Sequence, residues 1–366
     1  MSSILNIIDT SGPGGAETVF INLCVAQKSA GDRPIAVVKG EGYVLDQLKR
    51  NGIDTHVIES KGSFNFQLLT KLLRIIREEK VDLIQSHLFG SAVYAGLAGL
   101  LSRRPVFSTI HGVVDIRQDD RLLKAKLLIL RLGCRKIIAV SDQIFSMLNN
   151  LPLLPQGRVA TIYNGIDTSR YSKLEQPGLR ARMNLQGQVV IGALGNIRRP
   201  KNYPLAVDAL ECLHKKGLEA HLLIAGDGKG DLLNELQQRI GKAGLERYVH
   251  VLGFVDNVQD FLSSLDVLMI SSSSEGHPLA LTQAMVNALP IVATPCGVED
   301  ILEDGHDALI AEAHDAGQLA ERIDDIIRNP ELGRKLAANA RNKALERYSM
   351  ESMTDSYYRL YQSVVG

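Results

Sequence analysis

No charge of either sign prevails in this sequence: 41 Lys and Arg face 41 Asp and Glu, for a formal net charge of zero. No global field therefore directs the chain toward nucleic acid. Aromatic residues make up only 5% of it and do not interleave with basic ones, so the stacking platform that a nucleic-acid strand needs is missing. Cysteine is sparse. Cys24, Cys134, Cys212 and Cys296 stand far apart with no CxxC pair, which argues against a zinc site or a dense disulfide framework and fits a reducing compartment. No run of about 18 apolar residues is present to span a membrane. The opening MSSILNIIDTSGPGG lacks the basic region and the apolar length of a secretory leader. The expected location is the cytoplasm, including a peripheral position on the cytosolic face of a membrane.

What is present reads as ordinary globular protein, 45% apolar and 22% charged. At 366 residues the chain exceeds what one core usually spans, and two domains are expected. Residues 1–168 carry 20 Lys/Arg against 15 Asp/Glu and the remainder 21 against 26, a basic half followed by an acidic one.

Short β-branched runs alternate with amphipathic segments along the whole chain, the pattern of a parallel sheet covered on both faces. Predicted strands are Ile4–Ile8, Ile35–Val38, Thr55–Ile58, Leu83–Gln85, Val106–Thr109, Lys136–Val140 and Val159–Tyr163, with helices such as Glu17–Ala30, Asn65–Glu79 and Ser91–Leu101 between them. After a polar stretch near 168–180, read as a linker, the pattern restarts at Val189–Leu194, His221–Ala225, Val249–Leu252, Val267–Ser271, Ile291–Ala293 and Ala308–Ala311. Two doubly wound units in one chain are expected to hold a ligand at the carboxyl ends of their strands.

Three loops carry candidate chemistry, each following a predicted strand. In Ser11–Glu17 glycines precede a helix start, where free amides suit an anionic group; a tight turn without a ligand is the other reading. Ser271–Met285 runs from a strand into a helix predicted to begin near Pro278, and its four consecutive serines have no evident packing role. Glu275 stands before that helix as a ligand or as a capping residue. Gly195–Asn202 places Arg198, Arg199 and Lys201 where fixed cations could neutralise a departing diphosphate; a solvated basic loop is the alternative.

These motifs resemble glycosyltransferase family four, the retaining GT-B enzymes, over almost the whole chain. The resemblance rests on Gly14-Gly15-Ala16, Thr109-Ile110-His111-Gly112, Tyr163-Asn164-Gly165-Ile166-Asp167, Gly226-Asp227-Gly228, Leu252-Gly253-Phe254-Val255, Glu275-Gly276-His277-Pro278 and Leu289–Thr294, in that order, with a closing helix at Tyr348–Tyr361. It implies an α/β GT-B fold of two Rossmann-like domains facing each other across a cleft. Residues 1–168 would bind the acceptor, 180–347 the nucleotide sugar, and 348–366 would form a helix crossing back to the first domain.

The resemblance also assigns roles. Arg198 and Lys201 would hold the donor diphosphate, with Gly14 and Gly15 approaching it from the other domain. His111 would contact the donor sugar near its reacting carbon, and Glu275 would face the sugar ring, helped by the amides of His277–Ala280 (His277, Pro278, Leu279, Ala280). Phe254 and Val255 would bind the base; Asn164, Gly226 and Gly276 complete the donor set. Two positions depart from the family pattern. Gln283 stands where a second Glu holds the ribose, which exchanges a charge-assisted hydrogen bond for a neutral one. Asn196 follows Gly195 where an Arg is common.

No Asp-x-Asp is placed to hold a metal on the diphosphate; Asp119-Asp120 is an acidic pair in a loop. No metal and no cofactor are expected, the nucleotide-diphosphate sugar being a substrate. The implied reaction is a hexosyl-type transfer with retention, to a saccharide or lipid-linked acceptor, in cell-surface polysaccharide or glycolipid synthesis. A GT-B nucleotide-sugar epimerase and a non-catalytic nucleotide-sugar-binding partner are the alternatives. In Arg121–Lys136, Lys124, Arg131 and Arg135 are expected to share one helix face beside leucines. That face reads as a contact for an anionic membrane surface, or as cations left in solvent by a helix packed on its own sheet.

Overall fold

The computed structural model describes residues 1–58, 65–112, 116 and 120–365. The chain divides into one unit of Met1–Gly165 with 350–365, and a second of Ile166–Ser349.

The first unit alternates strand and helix: β1 (Ser3–Ile8), α1 (Gly15–Ser29), β2 (Arg33–Val38), α2 (Tyr43–Arg50), β3 (Asp54–Val57), α3 (Phe66–Glu78), β4 (Leu83–His87), α4 (Phe89–Ser102), β5 (Val106–Ile110), α5 (Leu123–Gly133), β6 (Lys136–Ala139), α6 (Asp142–Asn149) and β7 (Val159–Thr161). Its sheet is wholly parallel in the order β3-β2-β1-β4-β5-β6-β7. Every residue of β4 and β5 is buried, as helices on both faces require. Leu5, Ile84, Val106 and Ile110 lie in that core. The helix starts are capped locally; Asn65, for instance, accepts the amides of Gln67 and Leu68 through its side chain.

The second unit repeats the scheme with α7 (Gly178–Arg182), β8 (Val189–Leu194), α8 (Tyr203–Lys215), β9 (Ala220–Ala225), α9 (Asp231–Ala243), β10 (Val249–Gly253), α10 (Val258–Ser263), β11 (Val267–Ile270), α11 (Leu279–Val286), β12 (Ile291–Ala293), β13 (Leu309–Ile310), α12 (Ala316–Arg328) and α13 (Pro330–Arg347). Its parallel sheet has the order β10-β9-β8-β11-β12-β13. Two Rossmann-like parallel sheets are thus present, as the alternating pattern predicts.

Residues 168–180, expected as a linker, are strapped to the second unit. The Asn287 side chain donates to Tyr171 O at 3.0 Å, Leu174 N donates to Ser263 Oγ at 3.0 Å, and Arg180 and Arg182 pair with Asp266 and Asp260. The last helix, α14 (Met350–Val365), belongs to the first unit. Its Tyr361 hydroxyl donates to Gln85 Oε1 at 3.0 Å, its Tyr357 hydroxyl shares a 2.9 Å bond with Thr109 Oγ1, and Gln85 Nε2 donates to Thr109 at 3.0 Å. This network is buried, so each bond contributes about 0.5–1.5 kcal/mol and an orphaned partner would cost more.

The predicted basic face is only partly formed. Helix α5 ends at Gly133 and turns extended at Cys134, so Arg135 leaves the face shared by Lys124 and Arg131. The turn follows from contact with α4: a Cβ on Gly133 would lie 2.3 Å from Gly96 O, and only glycine admits that approach.

Candidate active site

A doubly wound sheet opens a crevice where neighbouring strands send their chains to opposite sides, at their carboxyl ends. In the second unit that point lies between β8 and β11, and in the first between β1 and β4. Arg198, Lys201 and Glu275 follow the two strands at the second unit's point and Gly14 and Gly15 follow β1 at the first's, whereas Asn164 lies past β7 and Phe254 and Val255 past β10, at sheet edges away from either.

In the second unit the loop after β8 is built against those after β9 and β10. Gly195 N donates to Ala225 O at 2.8 Å, Ile197 N to Asp227 O at 2.7 Å, and Gly226 N to Gly253 O at 2.7 Å. Gly226 has φ +151°, and a Cβ there would lie 2.0 Å from Gly195 O, so its glycine is demanded by the seating of this loop. The loop carries Arg198, whose side chain is exposed, and Lys201. Lys201 Nζ donates to Glu275 Oε1 at 2.7 Å, with side-chain exposures of 21% and 11%. The ion pair therefore spans the switch point, and low exposure makes it stronger than a surface pair.

The serine run has a structural role that the sequence did not disclose. Ser271 Oγ donates to Lys201 O at 2.9 Å, Ser272 Oγ to Glu275 Oε1 at 2.5 Å, and Ser273 N to Pro200 O at 2.7 Å. These bonds lash the β11 loop to the β8 loop and hold the Glu275 carboxylate with two donors. The Tyr203 hydroxyl donates to Gly195 O at 2.5 Å beneath the pair, its pKa raised by burial and then by the Glu275 charge. Burial, then the same charge, pushes the Cys296 thiol up to about 12, so it stays protonated. A small cavity lies here, lined by Ala193, Lys201, Tyr203, Ser271, Glu275 and Ala280.

Helix α11 begins at Leu279 with Pro278 as its N-cap, one residue later than predicted. Pro278 has no N–H, and Leu281 N is taken by Pro278 O, which leaves Leu279 and Ala280 as the first-turn donors. His277, with its expected amide role, turns its side chain inward: Nε2 meets Thr282 Oγ1 at 2.9 Å and the ring packs edge-on against Tyr348. Burial pushes its pKa down to about 3, so the imidazole is neutral and structural. Gly276 is buried between Glu275 and His277. Gln283 is buried and hydrogen-bonded to the Tyr171 hydroxyl, whose pKa burial raises while that bond opposes the rise. Phe254 is exposed and Val255 half-buried just past β10.

In the first unit, Gly14 is the extended N-cap of α1, and a Cβ there would strike the Glu17 carboxylate at 2.3 Å, while the space at Gly15 is open. Asp9, just past β1, accepts the Ser91 amide at the start of α4; burial raises its pKa. His111 follows β5 and meets His87 across 3.0 Å from Nε2 to Nδ1, the rings stacked at 5.2 Å. Asn164 is buried near α14, where the Gly165 amide points at Met353 Sδ. Asp120 binds Lys126, and Asp119 lies outside the described residues. Among the described residues no group of three or more His, Cys, Asp or Glu side chains could hold a metal ion.

Sequence reasoning missed His87, Tyr171 and Tyr203, and singled out Ser272 within the serine run without finding its bond to Glu275. His87 and Ser272 had a readable signal, being polar residues at or just past the carboxyl end of a buried strand.

Comparison with known proteins gives two family models. "Glycosyltransferase Family 4" matches residues 13–170 and "Glycosyl transferases group 1" matches residues 188–329. N-acetyl-alpha-D-glucosaminyl L-malate synthase of Bacillus anthracis is 24% identical over 310 residues, 82% of this chain and 80% of that protein. UDP-Gal:alpha-D-GlcNAc-diphosphoundecaprenol alpha-1,3-galactosyltransferase of Escherichia coli is 23% identical over 81% of this chain and 79% of its own. Among solved structures, Anabaena HepE in complex with UDP and glucose has a TM-score of 0.90 at 20% identity, covering 99% of this chain and 100% of that one. WaaG, a glycosyltransferase involved in lipopolysaccharide biosynthesis, has a TM-score of 0.77 at 14% identity over 98% and 99%.

Proposed function

The chain belongs to glycosyltransferase family four and has the GT-B fold, and on that footing we propose that it moves a sugar from a nucleoside diphosphate to a saccharide or lipid-linked acceptor, with retention and without a metal ion. The observation that carries this reading is the Lys201–Glu275 pair across the β8/β11 switch point, with the exposed Arg198 on the same loop. Arg198 and Lys201 hold the diphosphate and offset the charge it gains on leaving, the task a metal ion performs elsewhere. Glu275, fixed by Lys201 and Ser272, accepts hydrogen bonds from sugar hydroxyls, and the Leu279 and Ala280 amides add donors. The exposed Phe254 and the half-buried Val255 take the base, and Gln283 a ribose hydroxyl.

In the reaction the bond from the sugar's anomeric carbon to the phosphate oxygen breaks while a bond to the acceptor oxygen forms on the same face. The acceptor's proton passes to the departing phosphate oxygen. Among the described residues the loops after β8 and β11 bring one carboxylate, Glu275, to this point, which supports a contribution of position and charge in place of a double displacement.

HepE binds UDP and glucose, and the E. coli relative is named for UDP-Gal; both support a uridine diphosphate sugar as the donor. That relative acts on a lipid diphosphate, which supports an acceptor of polysaccharide or glycolipid assembly. No helix among the described residues is long and apolar enough to cross a membrane, and the outer face of α5 supports docking on an anionic lipid surface instead.

A panel of nucleotide sugars, scored by thermal shift and by nucleoside diphosphate release without added metal, tests this reading. One donor should raise the melting temperature and turn over slowly. Arg198→Ala and Lys201→Ala should each weaken its binding about 10–100-fold, the worth of a hydrogen bond to a charged group. A panel in which no donor binds either the natural chain or Gln283→Glu would leave the non-catalytic binding partner as the better reading.

A further inference from the structure

His87 and His111 are brought together by the first sheet's register. His87 ends β4 opposite Thr109 of β5, and His111 lies two residues beyond Thr109. Both side chains continue the face that carries the Gln85–Thr109 bond. His87 is fully buried, with Phe20 edge-on against its ring and its carbonyl bonded by the Ser91 hydroxyl. His111 is half-buried. One proton lies between them, in the 3.0 Å contact of His87 Nδ1 with His111 Nε2.

Two arrangements of that proton are possible, and the surroundings of His87 separate them. Its far nitrogen, Nε2, is buried with no hydrogen-bond partner among the described residues. If His111 donated, His87 would carry its own proton on Nε2, a buried N–H without an acceptor, and orphaned donors of that kind are rare. If His87 donates from Nδ1, its Nε2 is a bare ring nitrogen left without a donor, which forfeits only a weaker acceptor. Burial keeps both rings neutral, holding His111 down to about 3 and His87 well below its ordinary value, so no second proton removes the choice.

We propose that His87 is a positioning residue that donates from Nδ1 to His111 Nε2 and so fixes His111 as the Nδ1–H tautomer, a hydrogen-bond donor to the substrate and not a proton acceptor. This rests on the reading of His111 as a sugar contact, but the proton's position is independent of it. A neutral donor held in place suits an oxygen of the donor sugar and leaves proton removal from the acceptor to the departing phosphate.

The tautomer is read directly from two-bond 1H–15N correlations of the 15N-labelled full chain near pH 7, with His111 assigned by the peak lost in His111→Gln. The expected pattern has His111 protonated on Nδ1 and His87 likewise. A spectrum with His111 protonated on Nε2 overturns the proposal whether or not the chain proves to be a transferase. His87→Phe keeps bulk without a donor; it should leave His111 as a tautomer mixture and lower kcat by roughly tenfold or more, with little change in donor KM. His87→Asn places an amide N–H near the former Nδ1 and should recover both the single tautomer and most of the lost kcat. If His87→Phe alters neither the His111 spectrum nor kcat, His87 is packing alone and the proposal fails.

Discussion

At the scale of single residues the second unit's site is an electrostatic balance. Lys201 and Ser272 both donate to one oxygen of Glu275, which aims that carboxylate, while the Arg198 side chain stands in solvent. Gln283 is the residue that alters the balance. Its neutral amide bonds the Tyr171 hydroxyl and opposes the rise in that hydroxyl's pKa, the sense of an amide N–H donating; a carboxylate in its place would instead have to accept from the hydroxyl. Gln283→Glu is expected to tighten donor binding about tenfold, since a hydrogen bond to a charged group is worth about 1.5–3 kcal/mol against 0.5–1.5 for a neutral one. Calorimetric titration of the donor and its 2′-deoxy form checks this. The gain should appear with the ribose donor and be smaller without the hydroxyl; an equal gain with both would remove Gln283 from the ribose.

At the scale of elements, α5 leaves leucines exposed between cations. It buries Leu127 and Leu130, and its close approach to α4 leaves Lys124, Leu128, Arg131 and Leu132 facing outward, with Leu128 and Leu132 45% and 60% exposed. Leucines between cations on one face suit the boundary of an anionic bilayer, where each apolar side chain adds about 1.5–3 kcal/mol when fully covered and each cation about 1 kcal/mol. Replacing both leucines, Leu128→Ser with Leu132→Ser, should cut cosedimentation with phosphatidylglycerol vesicles at least tenfold and leave the melting temperature nearly unchanged, because neither side chain is in the core. Equal cosedimentation of the variant and the natural chain would make the face an ordinary solvated one.

For the whole molecule, the doubly wound plan was readable because β-branched runs such as Val189–Leu194 and Ile291–Ala293 are the strands themselves, matching residue for residue. What escaped lies where polar residues are buried. β4 runs on to His87 because Ser86 finds Ser108 at 2.7 Å and His87 finds His111, partners that hydropathy does not register. The serines after β11 stood out in the sequence, but their bonds to Lys201, Glu275 and Pro200 did not, for the same reason. Buried neutral histidine has a consequence for the whole fold. Burial sets His277 at about 3 against an ordinary 6.5, and His111, His87, His221 and His250 shift the same way. A depressed pKa means that below pH 6.5 the unfolded chain takes up a proton that the folded chain refuses. For His277 and His111, both held to about 3, the stability is therefore complete above 6.5 and drains as pH falls toward 3, at about 1.4 kcal/mol per pH unit each. The half-buried His221 and His250 add less because solvent screens them. Asp9, whose pKa is raised, opposes this with a single proton. With ten tyrosines and no tryptophan in the chain, urea unfolding followed by far-UV circular dichroism at pH 6.5 and pH 5 is the suitable measurement. His277→Gln can still reach Thr282 but does not titrate, so it is less stable than the natural chain at pH 6.5 and should close that gap by about 2 kcal/mol at pH 5. A gap that stays constant across that interval would mean His277 is protonated in the folded chain, and its buried bond to Thr282 would then need a different account.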